Sequence, residues 1–195
     1  MHTYDTALAL LLSPIARGSA LVGIGRGYLS KASGIPSDRI RDIYAKRGDE
    51  PTIEEVARLA AIVDQEVSIV PESCGARAFT EVEEHAAFKG DRASHGMRVV
   101  DMLEKVSDLC IDMRLSTGMS NAAFERTHGV GSAFMAKLAD FSRNGSISIC
   151  EIHAYLAPFG ATLATFPRTS EYTNYYVALA AEASASQAPM TMKAA

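Results

Sequence analysis

The stretch GIGRGYLSKASGIPSDRIRDI, residues 23–43, decides the fold of this chain, because its spacing recurs in GMSNAAFERTHGVGSAFMAKL, residues 118–138. Each stretch begins with a glycine and an apolar residue, and a second pair of this kind follows after nine intervening residues. Two further apolar residues then follow at the same intervals in both copies. A repeat of this length predicts two copies of one small unit, and a function carried by that unit.

Each copy predicts two short helices joined by a tight turn. In the first copy, the run 28–32 is helical and ends at Gly34, which suits a left-handed helix cap. Ser37 then precedes a second helix in which Ile40 and Ile43 lie on one face. A third helix is predicted to begin at a capping box and to carry an apolar stripe. The capping residues are Thr52 and Glu55, and the stripe is Val56, Leu59, Ala60 and Val63.

The remaining patterns are also helical, and no segment alternates convincingly between apolar and polar residues, so the predicted class is all-α. The predicted architecture is two tandem helix-turn-helix bundles joined by a helical linker. The predicted boundaries are 1–71 for the first domain, 72–97 for the linker, 98–167 for the second domain, and 168–195 for a C-terminal helix and a disordered tail.

Positive charge is concentrated in the repeated segments although the whole chain of 195 residues carries a formal net charge of −4. Residues 17–47 contain seven basic and two acidic side chains, and residues 114–143 contain four and two. Bulk electrostatics therefore do not indicate a nucleic-acid binder, whereas the local field of each repeat does.

No pattern in the chain indicates an enzyme, a cofactor or a metal site. Three cysteines far apart are typical of a reducing compartment and argue against a disulfide framework or a zinc site. The five histidines lack metal-binding spacing. The apolar run 7–12 is too short to span a bilayer. We therefore expect a cytoplasmic protein without a membrane partner, and Cys110 as a small core residue.

A short helix, a glycine turn and a second helix of fixed apolar spacing form the helix-turn-helix arrangement. With the capping box at Thr52 and the second copy at 118–138, this pattern resembles the Cro/C1-type (XRE-type, lambda-repressor-like) helix-turn-helix family. The resemblance covers about two-thirds of the chain. It implies a bundle of four or five helices per unit and sequence-specific DNA binding in transcriptional control.

The resemblance also implies which residues meet double-stranded DNA. Arg39 and Arg41 would grip guanine edges or phosphates, and the acidic neighbours of Arg41 would accept from cytosine amino groups. The full first set is Arg26, Ser37, Asp38, Arg39, Arg41 and Asp42. Lys46 and Arg47 follow this set and would contact the phosphate backbone of the DNA. The second set is Asn121, Ser132, Ala133, Phe134, Ala136 and Lys137. The second set is nearly apolar and is predicted to place Phe134 on an exposed face.

The predicted function is a DNA-binding transcriptional regulator of a bacterium or a mobile element, with two units acting as a covalent pseudo-dimer. Alternatively, Arg39 and Arg41 form an ordinary solvated face. A second alternative is an adaptor or anti-activator that docks on another regulator or RNA polymerase, with Phe134 and Met135 buried in that partner. The tyrosine-rich segment 172–179 either forms a homodimer contact or folds back on its own unit.

Overall fold

The computed structural model describes residues 3–72, 92–131, 133–140 and 142–167, with the side chains of 92–95 left out. Most of the linker predicted at 72–97 and all of the C-terminal helix and tail predicted at 168–195 lie outside this part of the chain. Ser132 also lies outside it. Within the described ranges the protein is mostly helical.

The first half contains four helices and one strand. They are α1 (Tyr4–Leu21), α2 (Arg26–Ser33), α3 (Ser37–Tyr44), α4 (Ile53–Ile62) and β1 (Gln65–Pro71). α1 is one continuous helix with Pro14 inside it. The predicted left-handed cap at Gly34 is confirmed by its φ of 75°. The predicted capping box of Thr52 and Glu55 is confirmed at the start of α4, where it satisfies backbone N–H groups that have no partner within the helix.

The second half repeats this order. It contains α5 (Arg92–Ser116), α6 (Asn121–His128), α7 (Phe134–Ala139), α8 (Ile149–Leu156) and β2 (Ala161–Pro167), with short 3₁₀ turns at Asn144–Ser146 and Ala157–Phe159. α5 begins before the predicted domain boundary at residue 98, so residues 92–97 of the predicted linker are helical. A second capping box, formed by Ser148 and Glu151, opens α8.

The prediction that the chain has no strands is wrong. β1 and β2 pair as an antiparallel two-stranded sheet that runs from Gln65–Pro167 to Pro71–Ala161. All seven residues of β2 are buried. A strand covered on both faces lacks the apolar–polar alternation that identifies a strand in a sequence, so its sequence pattern does not distinguish it from a buried helix.

The two halves are related by a pseudo-two-fold axis. Ser68 pairs with Ala164 at the centre of the sheet, and an isolated bridge joins Thr52 to Ser148. Both pairs are 96 residues apart in the sequence. The first helix of each half packs on the strand of the other half, α1 on β2 and α5 on β1. As a result, the apolar side chains of both halves belong to one hydrophobic core.

Within the described ranges, each helix taken alone falls short of the length and apolar composition that a bilayer-crossing helix needs. α1 and α2 meet both criteria only as a pair, and the pair is bent by 112°. The apolar side chains of α1 at Leu8, Leu11, Leu12 and Ile15 are buried in the protein.

Candidate nucleic-acid interface

The turn between α2 and α3 is held by two serine hydroxyls. Ser30 Oγ donates to the carbonyl oxygen of Ile35 at 2.7 Å, and the backbone N–H of Ile35 donates to Ser33 Oγ at 3.1 Å. Ile35 is buried, and so are Ile40 and Ile43 on the inner face of α3. These contacts fix the angle between the two helices, so the outer face of α3 projects from the surface in a defined direction.

The outer face of α3 carries Asp38, Arg41 and Asp42, which form a local charge cluster. Arg41 donates from Nη1 to Asp38 at 2.9 Å and from Nε to Asp42 at 3.2 Å. Its side chain is 54% exposed and that of Asp38 is 83% exposed. Ion pairs this exposed contribute little to stability, about 0–1 kcal/mol. Arg41 is therefore a cation that can exchange its present partners for a phosphate or a base edge.

Arg39 has a different environment, which does not support its prediction as a base reader. Its Nε and Nη2 donate to the two carboxylate oxygens of Glu55 at 2.7 and 2.8 Å. The same guanidinium donates to the carbonyl oxygens of Asp49 and Glu50 at 2.7 and 3.0 Å. Hydrogen bonding to Glu55 raises the pKa of Arg39. Since its donors are occupied by Glu55 and by the loop that precedes α4, Arg39 holds α3 against α4.

The remaining predicted residues of the first half surround α3. Arg26 is the first residue of α2 and is exposed, and Arg47 is exposed in the loop after α3. Neither side chain has a hydrogen bond or ion pair with the residues that the structure describes, although the backbone N–H of Arg47 donates to the carbonyl oxygen of Asp42 at 2.8 Å. Lys46 is exposed in a left-handed conformation (φ 53°) and donates from Nζ to the carbonyl oxygen of Asp5 at 3.0 Å. Ser37 begins α3 and is half-buried.

The second half presents a weaker set. Gly129 again caps the first helix of the pair, with a φ of 67°, but α7 has only six residues and no side-chain cap. Asn121, Ala133 and Ala136 are exposed. Lys137 is partly buried and donates to Glu151 at 2.9 Å. The exposed basic residues Arg126 and Arg143 were not predicted as contacts, although their charge was visible in the sequence.

The prediction that Phe134 lies on an exposed face is wrong. Its side chain is 1% exposed, and its ring stacks on Tyr155 with centroids 4.8 Å apart. Tyr155 donates its hydroxyl to the carbonyl oxygen of Cys110, whose side chain is fully buried, as predicted. Burial of the Cys110 thiol raises its pKa. Phe134 faces inward because α7 is anchored by its apolar side, and sequence spacing alone did not assign that side correctly.

Comparison with protein families, with curated proteins and with solved structures gives no match. Among the described residues, no group of three histidine, cysteine or acidic side chains is placed to hold a metal ion. The function is therefore inferred from the two helix pairs and their charges.

Proposed function

We propose that this protein is a sequence-specific DNA-binding transcriptional regulator of a bacterium or a mobile element. In this proposal α2–α3 and α6–α7 are tandem helix-turn-helix motifs, with α3 and α7 as the helices that face the major groove. The observation that carries the proposal is the recurrence of one helix pair, with a left-handed glycine at each turn, in two halves related by a pseudo-two-fold axis. Two-fold symmetric regulators bind two half-sites on one side of a DNA duplex in this manner.

The first half is proposed as the principal reader. Arg41 lies on the outer face of α3, where a guanidinium can form paired hydrogen bonds with a guanine edge. Arg26 begins α2, Lys46 and Arg47 follow α3, and all three are exposed. Arg26 lies in the first turn of α2, where the helix N-terminus also favours a phosphate. These three side chains are proposed as phosphate contacts that fix the orientation of the protein on the duplex.

The second half is proposed to contact mainly the phosphate backbone of the DNA. The side chains of Ala133 and Ala136 cannot form hydrogen bonds with base edges. They can only make apolar contacts with thymine methyl groups. Asn121 and Arg126 are exposed on α6 and can reach phosphates. The expected operator is therefore asymmetric, with a strong sequence requirement in one half-site and a weak one in the other.

One chain carries both helix pairs, so it can occupy both half-sites without a second copy. Covalent connection raises the effective concentration of the second pair once the first is bound. A homodimer remains a separate proposal that depends on the segment 172–179, outside the described residues. Occupancy of one chain per operator, measured by native mass spectrometry of the complex, distinguishes the two arrangements.

The burial of Phe134 weakens the adaptor alternative, because a buried side chain cannot insert into a partner. Two exposed apolar residues on α5 still favour the adaptor alternative. They are Met97 and Val100, which are 73% and 52% exposed. An adaptor would bind its protein partner through such apolar residues, and its binding would persist at high salt.

The test is a selection of bound fragments from the genome that encodes the protein, using the wild type, Arg41→Ala and Lys105→Ala. Lys105→Ala is a matched control, since this substitution also removes one positive charge, but Lys105 pairs with Glu66 in β1. One motif enriched by the wild type and by Lys105→Ala, but reduced in Arg41→Ala, supports the proposal. If the wild type enriches no motif at low salt, DNA reading is refuted and the adaptor becomes the better interpretation.

A further inference from the structure

Two helix caps meet at the pseudo-two-fold axis. α4 and α8 both begin with a capping box, and their N-cap residues Thr52 and Ser148 form a backbone bridge. The backbone N–H of Ile53 donates to the carbonyl oxygen of Ile147, and that of Ile149 donates to that of Pro51, both at 2.9 Å. We refer to Thr52, Glu55, Ser148 and Glu151 as the cap pair. The backbone next to the two N-cap residues therefore joins the halves by reciprocal hydrogen bonds.

Each glutamate of the cap pair also binds a basic residue on the helix proposed to face DNA. In the first half, Glu55 Oε2 accepts from the backbone N–H of Thr52 at 2.9 Å while both carboxylate oxygens accept from Arg39 in α3. In the second half, Glu151 Oε2 accepts from the backbone N–H of Ser148 at 3.0 Å and Oε1 accepts from Lys137 in α7 at 2.9 Å. These side-chain contacts and the backbone bridge between Thr52 and Ser148 together connect α3 to α7 through the axis.

The two ends of this connection differ in stiffness. Arg39 makes a bidentate contact with Glu55 and also binds the carbonyl oxygens of Asp49 and Glu50, so it joins α3, the following loop and α4. Among the described residues, Lys137 makes one side-chain hydrogen bond, from its flexible ammonium group to Glu151. Guanidinium forks hold geometry more strictly than ammonium groups do. The first helix is therefore held more rigidly to the axis than the second.

We propose that the cap pair sets the separation and relative orientation of α3 and α7, with Arg39 as a positioning residue, and so selects the spacing of the two half-sites. This inference rests on the proposed DNA-binding function. Substitutions of Arg39 and Glu55 should therefore change which distance between the two half-sites is preferred. They should not change which bases are read. A substitution that keeps only the positive charge at residue 39 is expected to be insufficient, because the bidentate contact with Glu55 needs both arms of the guanidinium.

The first experiment measures affinity for a set of duplexes that carry the selected operator with one to three base pairs added to or removed from its centre. We expect the wild type to prefer its best spacing by about tenfold, because the duplex must otherwise be twisted or bent to restore the register. Arg39→Lys and Glu55→Gln are expected to reduce that preference to about threefold or less. Base preference at the best spacing is expected to stay unchanged.

Two comparisons separate positioning from other roles. Glu54→Gln is the matched control, because Glu54 lies in the same turn of α4 but pairs with Arg58 on its own helix. It should keep the wild-type spacing preference. Arg39→Lys keeps the positive charge, so a residue that simply bound a phosphate would tolerate it. Unchanged spacing preference in both Arg39→Lys and Glu55→Gln would overturn the inference while leaving the proposed function intact.

A second experiment needs no DNA and decides the inference even if the selection finds no operator. Spin labels are placed at Arg41→Cys and Ala136→Cys, exposed positions on α3 and α7, after Cys74→Ser and Cys150→Ser. We expect a narrow distance distribution in this background, and a distribution at least about twice as broad after Glu55→Gln. The Glu54→Gln control should stay narrow. Equal widths in all three proteins would show that the cap pair does not position the helices.

Discussion

Thr165 in β2 donates its buried hydroxyl to the carbonyl oxygen of Leu11 in α1 at 2.8 Å. The two residues are 154 positions apart in the sequence. This contact lies where the first helix of one half covers the strand of the other half. The two repeats therefore stabilise each other, and neither buries its own apolar face without the other.

We expect the folded core to unfold in one cooperative transition rather than as two domains. Scanning calorimetry should give equal calorimetric and van't Hoff enthalpies. Thr165→Val should lower the free energy of unfolding by about 1 kcal/mol without splitting the transition, because one buried hydrogen bond is lost. Thr127→Val, at an exposed position in α6, is the control and should change it by less than about 0.5 kcal/mol. Two separated transitions would contradict the shared core.

Phe134→Ala should destabilise the protein by about 3–5 kcal/mol, because a fully buried ring is removed and a cavity remains. The measurement is urea denaturation followed by circular dichroism. Leu115→Ala is the control, since 54% of Leu115 is exposed and its truncation should cost less than about 0.5 kcal/mol. A change in Phe134→Ala as small as in the control would place the ring at the surface after all.

Stability should fall in acid because of the two capping glutamates. Burial by itself would raise the pKa of Glu55, but hydrogen bonds from Arg39 and Thr52 outweigh it and hold this pKa below the ordinary value of 4.5. The pKa of Glu151 is lowered in the same way by Ser148 and Lys137, against the effect of burial.

A carboxyl group with a lowered pKa in the folded state binds fewer protons there than in the unfolded chain, so stability rises with pH in that range. The contribution of both glutamates is complete above pH 4.5 and is lost as the pH falls through their folded-state pKa values. The melting temperature of Glu55→Gln/Glu151→Gln should therefore depend less on pH below 4.5 than that of the wild type. Parallel curves would refute this.

Asp38→Asn and Arg41→Ala should change DNA affinity in opposite directions. Asp38 is the more exposed partner of Arg41, so its neutralisation frees a cation and removes a charge that repels phosphate. Arg41→Ala should weaken binding and reduce the slope of log K against log salt by about 1 if Arg41 meets a phosphate, and leave the slope unchanged if it reads a base. Fluorescence anisotropy over a salt series measures both. Weaker binding by Asp38→Asn would instead indicate that Asp38 accepts from a base.

Local features of the fold were predictable because they depend on neighbouring residues. The glycine turn at Gly34, the capping box at Thr52 and the buried face of α3 are each encoded within a few positions and are confirmed. The role of Arg39 was not predictable, since its partner Glu55 lies 16 residues away and belongs to a different helix. A fully exposed and a half-buried arginine look alike in a sequence.

The sequence by itself determined the helices, their caps and the repetition of one helix pair, because helical periodicity and turn chemistry are short-range. The tertiary structure alone decided three other properties. It paired β1 with β2, since strand pairing brings together residues about a hundred positions apart. It turned Phe134 into the core, and it placed Arg39 on the cap pair. Each of these depends on which surface covers a residue, and that surface comes from the other half or from a distant helix.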